Sequence, residues 1–266
     1  MSEGAIVPPG SVSPHALIEP GARIGANTAV GPFSVIGDEV VIGPDCWIGP
    51  HVVIKGPTRI GPGNRIFQFA SVGEAPQDVK YRGEPTQLVI GARNTIREYA
   101  TLHRGTVGGD GFTSVGDDNL LMAYSHIAHD CHIRNQTILA NGASLAGHVV
   151  VGDFAILGGF CGVHQFCRIG DHSFTGMGTM VNRDVPPYVI AVGNYARAFG
   201  INKVGLRRRG FDPELIRVLH RAFKILIKSR GSRREALARI APLAEAYPEV
   251  DFLVQFTRQS VRGVVR

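Results

Sequence analysis

"IGANTAVGPFSVIGDEVVIGP", residues 24–44, is the stretch whose reading decides the fold. An aliphatic side chain returns at Ile24, Val30, Ile36 and Ile42, and a glycine follows each one. A helix repeats every 3.6 residues and a strand every two, so a step of six is neither alone. It suits a short strand, a turn and another short strand, with the aliphatic residue pointing inward. The residue two places earlier also points inward, because side chains alternate along a strand. Those positions are mostly small: Ala16, Ala22, Thr28, Ser34, Val40, Cys46, Val52 and Thr58. Glycine is expected to supply backbone freedom at the corners.

The step runs from Val12 to Val72, resumes at Ile90, Ile96 and Leu102, and continues from Val115 to Ile169. Thr175 breaks the apolar rule and Val181 restores it. Three hexads close a triangular coil, and stacked coils make a parallel β-helix. Cys46, Cys131, Cys161 and Cys167 all take the small inward position and lack CxxC spacing, so they read as reduced core residues. Two stretches, 73–89 and 103–114, leave the count and read as loops thrown out of the solenoid, where function concentrates.

After residue 190 the pattern stops. Residues 211–229 read as a helix with Asp212 as N-cap and Pro213 in the first turn. Residues 232–247 open with a capping box, Ser232 and Glu235. Residues 250–265 suggest a third helix. The expected organisation is therefore mainly β: a β-helix over 1–195 and a basic helical domain over 196–266.

Charge is split along the chain. Residues 201–266 hold 15 Lys and Arg against 6 Asp and Glu, while residues 1–200 hold 13 against 16. A basic tail suits an anionic partner such as nucleic acid, anionic lipid or an acidic protein, or is simply a solvated helical surface. The N-terminus "MSEGAIVPPG" shows no signal-peptide pattern, and no run of eighteen apolar residues exists, so a cytoplasmic protein without stable membrane insertion is expected.

Candidate chemistry gathers in "HIAHDCHIRNQ", residues 126–136. His126 and His132 precede the inward Ile127 and Ile133, so they point outward, and His129 falls at a corner or outer surface. Residues eighteen apart stack at about 4.8 Å, the strand spacing. "HIAHDC", "LAGHVV" and "GVHQFC" then form one patch on successive coils, with His129, Gly147 and Gln165 in one column. Beside it lie Ala128, Ala146 and His164, and on the other side Asp130 and His148. Such a patch suits a base, an orienting acid, polar binders and a backbone oxyanion donor. A zinc site on three histidines, as in solenoid carbonic anhydrases, and a surface without function are the alternatives.

The hexads together with "GEAPQDVKYRGEPT", "HIAHDC", "LAGH", "VHQF", "DVPPYVI" and "GLRRRGF" closely resemble the UDP-N-acetylglucosamine acyltransferases, which open lipid A biosynthesis. The resemblance covers nearly the whole chain. It implies a left-handed β-helix, an exception to the right-handed crossover rule. It also implies a homotrimer with sites between subunits, a C-terminal helical domain, and no metal or diffusible cofactor. The implied reaction carries an (R)-3-hydroxyacyl group from acyl carrier protein to the 3-hydroxyl of UDP-N-acetylglucosamine. The acidity of acyl carrier protein moves the basic tail toward a protein partner rather than nucleic acid.

By likeness, His129 is the general base, Asp130 assists it and the Gly147 N–H is the oxyanion donor. Gln77, Asp78, Lys80, His126, His148, His164 and Gln165 match substrate-binding positions, and Asn202, Arg208 and Arg209 match the nucleotide end. Two positions depart from the family pattern. Val204 stands where a glutamate often contacts the ribose. Met177 stands where glycine leaves room for a long acyl chain, and should close the groove at the cost of roughly four methylenes, each worth ~0.8 kcal/mol on burial. A hydroxydecanoyl donor is then favoured over hydroxymyristoyl. The related N-acyltransferase usually carries an extra N-terminal domain, whereas hexads here begin by residue 12. A non-catalytic trimeric scaffold is the remaining rival.

Overall fold

The computed structural model describes residues 7–229 and 232–266. The segment "MSEGAI", read above as lacking a signal peptide, lies outside the described residues. Short strands, most of two residues, line up in three parallel sheets of nine, eight and ten strands. Up to the end of the ten-stranded sheet, each strand pairs with the third one after it, so the chain visits the three sheets in turn and rises one coil per visit, forming a left-handed parallel β-helix. Register confirms the eighteen-residue coil: His126 pairs with Ser144, Ser144 with Gly162, and Gly162 with Met180.

The hexad aliphatics form stacked columns inside. Ile36, Ile54, Val72, Leu102, Ile127, Leu145, Val163 and Val181 occupy one side of the prism, and none exceeds 3% exposure. Each fully buried Leu or Ile contributes about 1.5–3 kcal/mol. The small polar residues between them bond to backbone that would otherwise be orphaned. Thr28 Oγ1 donates to the Gly43 carbonyl at 2.7 Å and accepts from Cys46 N–H at 3.0 Å. Asn64, Asn94 and Asn119 form an interior ladder, each side-chain oxygen accepting the backbone N–H of the next coil. Thr175, the odd member of the series, is buried and donates to Cys161 Sγ at 3.1 Å. All four cysteines are free and buried, and burial pushes the Cys131 thiol up to about 12.

The role expected of the glycines needs correcting. The positive-φ corner residue falls three places after the aliphatic one and is usually not glycine: Asn27, Phe33, Glu39, Asp45 and His51 are examples. The glycine that follows the aliphatic residue is required by close stacking instead. A Cβ on Gly25 would lie 2.5 Å from the Gly43 backbone on the next coil.

The two expected loops are shorter than the broken hexad count implied. Gln87–Ile90 and Phe112–Val115 are strands paired in register with each other, so the excursions narrow to residues 75–86 and 104–111. The expected domain boundary falls in the turn between Val189–Val192 and Arg197–Ile201, an antiparallel pair that ends the ten-stranded sheet. Among the described residues four helices follow: α1 (Lys203–Arg208), α2 (Pro213–Leu226), α3 (Arg233–Ala246) and α4 (Pro248–Gln259). Asp212 caps α2, and the Ser232–Glu235 capping box of α3 is complete. The six-residue α1 was not anticipated, and the last expected helix ends early. Beyond it, buried Asp184 accepts from Arg168 N–H and Ser260 Oγ–H, while Val265 N–H returns to the Asp184 carbonyl, which ties the C-terminal segment to the β-helix.

Candidate active site

His129 and Asp130 sit on the turn between the strands His126–Ile127 and His132–Ile133. Asp130 adopts φ 57°, the left-handed corner conformation, and its side chain is 1% exposed. Loop 104–111 folds over it. Thr106 gives Asp130 two hydrogen bonds, backbone N–H to Oδ1 at 3.0 Å and hydroxyl to Oδ2 at 2.7 Å. Burial opposes ionisation of this carboxyl, but the bonds from Thr106 and His129 outweigh it and hold Asp130 below the usual carboxylate range. Oδ2 then faces His129 Nδ1 at 2.8 Å, so the anion accepts the Nδ1–H and the other ring nitrogen, Nε2, is kept as a basic lone pair.

The neighbouring coil explains Gly147. A Cβ there would stand 2.5 Å from His129 Cε1 and 2.7 Å from Nε2, so any larger residue would collide with the imidazole. Among the described residues, no hydrogen bond engages the Gly147 N–H. His148 follows on the same coil, edge-on to His129 with ring centroids 5.0 Å apart, and its Nε2 lies 3.8 Å from Asp130 Oδ2. Burial lowers the pKa of His148 although Asp130 opposes that shift, and burial lowers that of His126 as well. His126 Nδ1 shares a hydrogen with Thr101 Oγ1 at 2.7 Å.

Most of the expected patch is assembled. His126 and His164, with Ser144, Gly162, Met180 and Tyr195, line a cavity of about 660 Å³ beside the His129 column. Gln165 is exposed on the same column as Gly147. In the first loop, Asp78 Oδ1 accepts from Lys80 N–H at 2.9 Å, and its charge reaches His148; Gln77 and Lys80 are exposed there.

The remaining expected residues are elsewhere on this chain. Arg209 lies against the next corner, its guanidinium 4.1 Å from the Phe154 ring centre and bonded to Gln136. Asn202 is engaged at both ends of its amide, capping α1 through Gly205 N–H and donating to the His172 carbonyl. Arg208 and Val204 are exposed on α1. Met177 is 80% exposed beside a third corner.

Three neighbours of the patch escaped the sequence reading. Thr106 and His103 lie at the edge of a loop whose path a single sequence does not reveal. Burial lowers the pKa of His103 to about 4, and its ring meets His126 edge-on at 5.0 Å. Met180 was legible, since it continues the outward column of His126, Ser144 and Gly162.

The ligating atoms of His129, Asp130 and His148 all come within 4.8 Å of one another. This is a two-histidine, one-carboxylate set, not the three histidines of the zinc alternative. Both Asp130 oxygens already accept hydrogen bonds, and His129 Nδ1 faces the carboxylate, so the arrangement is that of an oriented acid–base pair.

Residues 184–265 match the family model described as UDP-N-acetylglucosamine O-acyltransferase, domain 2, and residues 39–73 match the bacterial transferase hexapeptide model. Among solved structures, LpxA of Acinetobacter baumannii is 46% identical, with 96% of this chain and 99% of that one covered and a TM-score of 0.93. UDP-N-acetylglucosamine O-acyltransferase of Moraxella catarrhalis is 44% identical, with 96% and 99% covered and a TM-score of 0.94. UDP-N-acetylglucosamine acyltransferase of Francisella novicida is 42% identical, with 96% and 94% covered and a TM-score of 0.93. With that identity over nearly its whole length, and with a histidine–carboxylate pair on the face of its hexapeptide prism, this chain belongs to the UDP-N-acetylglucosamine O-acyltransferase family.

Proposed function

We propose that this enzyme moves an (R)-3-hydroxyacyl group from the thioester of acyl carrier protein to the 3-hydroxyl of UDP-N-acetylglucosamine, with His129 as general base. His129 Nε2 takes the proton of the sugar hydroxyl as its oxygen attacks the thioester carbon. The developing oxyanion receives the Gly147 N–H. When the C–S bond breaks, the leaving thiolate recovers the proton from the imidazolium, and neither metal nor cofactor enters the balance. The carrying observation is the His129–Asp130 pair at 2.8 Å beside a glycine whose N–H donates to no described residue.

Asp78, Lys80, Gln77, His126, His148, His164 and Gln165 hold the sugar and the thioester arm. Arg208 and Arg209 meet the nucleotide; Asn202, with its amide engaged in the fold, acts there by shaping α1. Arg209 and His129 lie at different corners of one prism, which fits a site completed by a second copy of the chain. A trimer also accounts for the outward column Leu120, Ile138, Ile156, Phe174 and Ile190, an apolar ridge on the ten-stranded sheet where polar residues would suit solvent. Met177 limits the acyl chain. It is 48 residues from His129, about 13 Å along the axis at the strand spacing, which suits a hydroxydecanoyl chain. The basic C-terminal region steers the acidic carrier protein, and the reaction is assigned to the cytoplasm as part of this reading.

Product mass after incubation with UDP-N-acetylglucosamine and a panel of acyl carrier protein thioesters tests this reading. Hydroxydecanoyl transfer is expected to dominate, and His129→Ala to lose about a hundred- to ten-thousandfold in turnover while oligomeric state is kept. Near-normal turnover in the variant removes His129 from the base role, and stoichiometric zinc in active protein favours the metal reading.

A further inference from the structure

Loop 104–111 does more than pass over the site. The loop and the strand that follows it both touch Asp130. Thr106 supplies two donors, and in the strand just after the loop Thr113 Oγ1 accepts the Asp130 backbone N–H at 2.8 Å. Between them Gly109 lies so close that a Cβ would sit 2.4 Å from Asp130 Cγ. Thr106 is 6% exposed and Asp130 2%, so these bonds are sheltered from water.

A second set of contacts holds the loop in that place. Asp110 Oδ2 lies 2.9 Å from His132 Nε2, and His132 Nδ1 lies 2.8 Å from Ser114 Oγ. Phe112 covers the same imidazole, with centroids 5.0 Å apart. This Ser–His–Asp chain has the composition of a hydrolytic triad. Here it works as a clasp, because its carboxylate is 68% exposed and sits on the loop it fastens.

We propose that Thr106 is a positioning residue for the acyl transfer: held by the Asp110–His132–Ser114 clasp, it fixes the carboxylate of Asp130 in the rotamer and ionisation state that orient His129. This rests on the reading of His129 as general base. The Thr106 hydroxyl and His129 Nδ1–H share one acceptor, Asp130 Oδ2, so the hydroxyl also moderates how strongly the carboxylate holds a protonated imidazole. The other charged or titratable groups facing the pair are His148, beside Asp130, and His103, coupled to His129, with Asp110 and Asp78 acting on His148; Thr106→Val replaces none of them.

Thr106→Val removes the hydroxyl, keeps the shape and leaves the backbone bond. In the full-length enzyme with UDP-N-acetylglucosamine and an acyl carrier protein thioester, kcat is expected to fall about tenfold with KM for the sugar nucleotide nearly unchanged. The acid limb of the kcat/KM profile should move to higher pH, as the carboxylate grips the imidazolium more firmly. Thr106→Ser should restore both. A loss that follows folded fraction alone would leave the limb in place, so a folded Thr106→Val enzyme with an unmoved limb overturns the proposal. Should that variant fail to fold, the exposed Asp110→Ala substitution decides: a roughly threefold loss of kcat with the limb moved the same way supports the proposal, and wild-type behaviour overturns it. His129→Ala run in parallel separates the two layers. If it stays active, the base reading itself has failed; if it is inactive while Thr106→Val is normal, only the positioning role has failed.

Discussion

The imidazole of His129 is shaped by what is missing beside it. Gly147 leaves no Cβ, and the space is filled by the His129 ring at a distance no real Cβ tolerates. Gly147→Ala should therefore turn the ring off Asp130 while the coil survives, because the glycine has no positive φ that alanine would have to copy. Turnover is expected to fall by about a hundredfold or more, with the thermal midpoint within a few degrees of wild type. A variant with normal turnover would show that the ring has another place to go. Residue chemistry of this kind was half legible. The sequence places His129, Gly147 and His148 together because columns follow from the period of eighteen. It does not place Thr106, because the chain leaves the hexad count before that residue and returns after it.

At the level of the element, each two-residue strand presents one side chain inward and one outward, and the outward columns differ among the three sheets. The nine-stranded sheet carries Thr101, His126, Ser144, Gly162 and Met180, a mixed polar and apolar column whose last four members line the cavity. The ten-stranded sheet carries Leu120, Ile138, Ile156, Phe174 and Ile190. All five are half-buried in the single chain, and a charge in the middle of that ridge would be desolvated in any interface built on it. Ile156→Asp is expected to leave the β-helix folded, since the side chain points away from the core, and to convert the proposed trimer to monomers in sedimentation at micromolar concentration. A trimer that persists would place the interface on another sheet. Helix ends were the elements best read in advance, because caps are local. Asp212 and the Ser232–Glu235 pair make their expected bonds. The six-residue α1 was missed, since its cap, Asn202, is recognisable only through the hydrogen bonds it makes in the folded chain.

Across the whole molecule, two histidines, the buried His103 and the half-buried His172, are held neutral by desolvation that outweighs the nearby Glu74 and Asp153 carboxylates. Burial lowers both His103 and His172 to about 4, against an unfolded value near 6.5. The unfolded chain binds protons at these sites between those values and the native protein does not. Their stabilising effect is thus complete above about pH 6.5 and is lost as pH falls toward 4. Asp130, held below the usual carboxylate range, works in the same direction at still lower pH. The urea midpoint should fall from about pH 6.5 to pH 4.5, reflecting a loss of unfolding free energy of at most about 1.4 kcal/mol per pH unit for each proton taken up. A flat profile over that range would mean that these rings titrate normally in the native state.

The sequence by itself determined the prism. A period of six admits one way to bury a repeated aliphatic residue, so the columns of the core, the outward position of the histidines and the reduced state of the cysteines all follow from spacing. The tertiary structure alone decided what spacing cannot carry. It set which residue at each corner takes the left-handed conformation, where the two loops rejoin the sheets, and that Thr106 and Asp110 reach the histidine patch at all. The physical reason is range. Hexad burial repeats locally, so it is written in neighbouring residues, whereas the carboxylate beside His129 is held by a loop whose position depends on hydrogen bonds to coils more than twenty residues further along the chain.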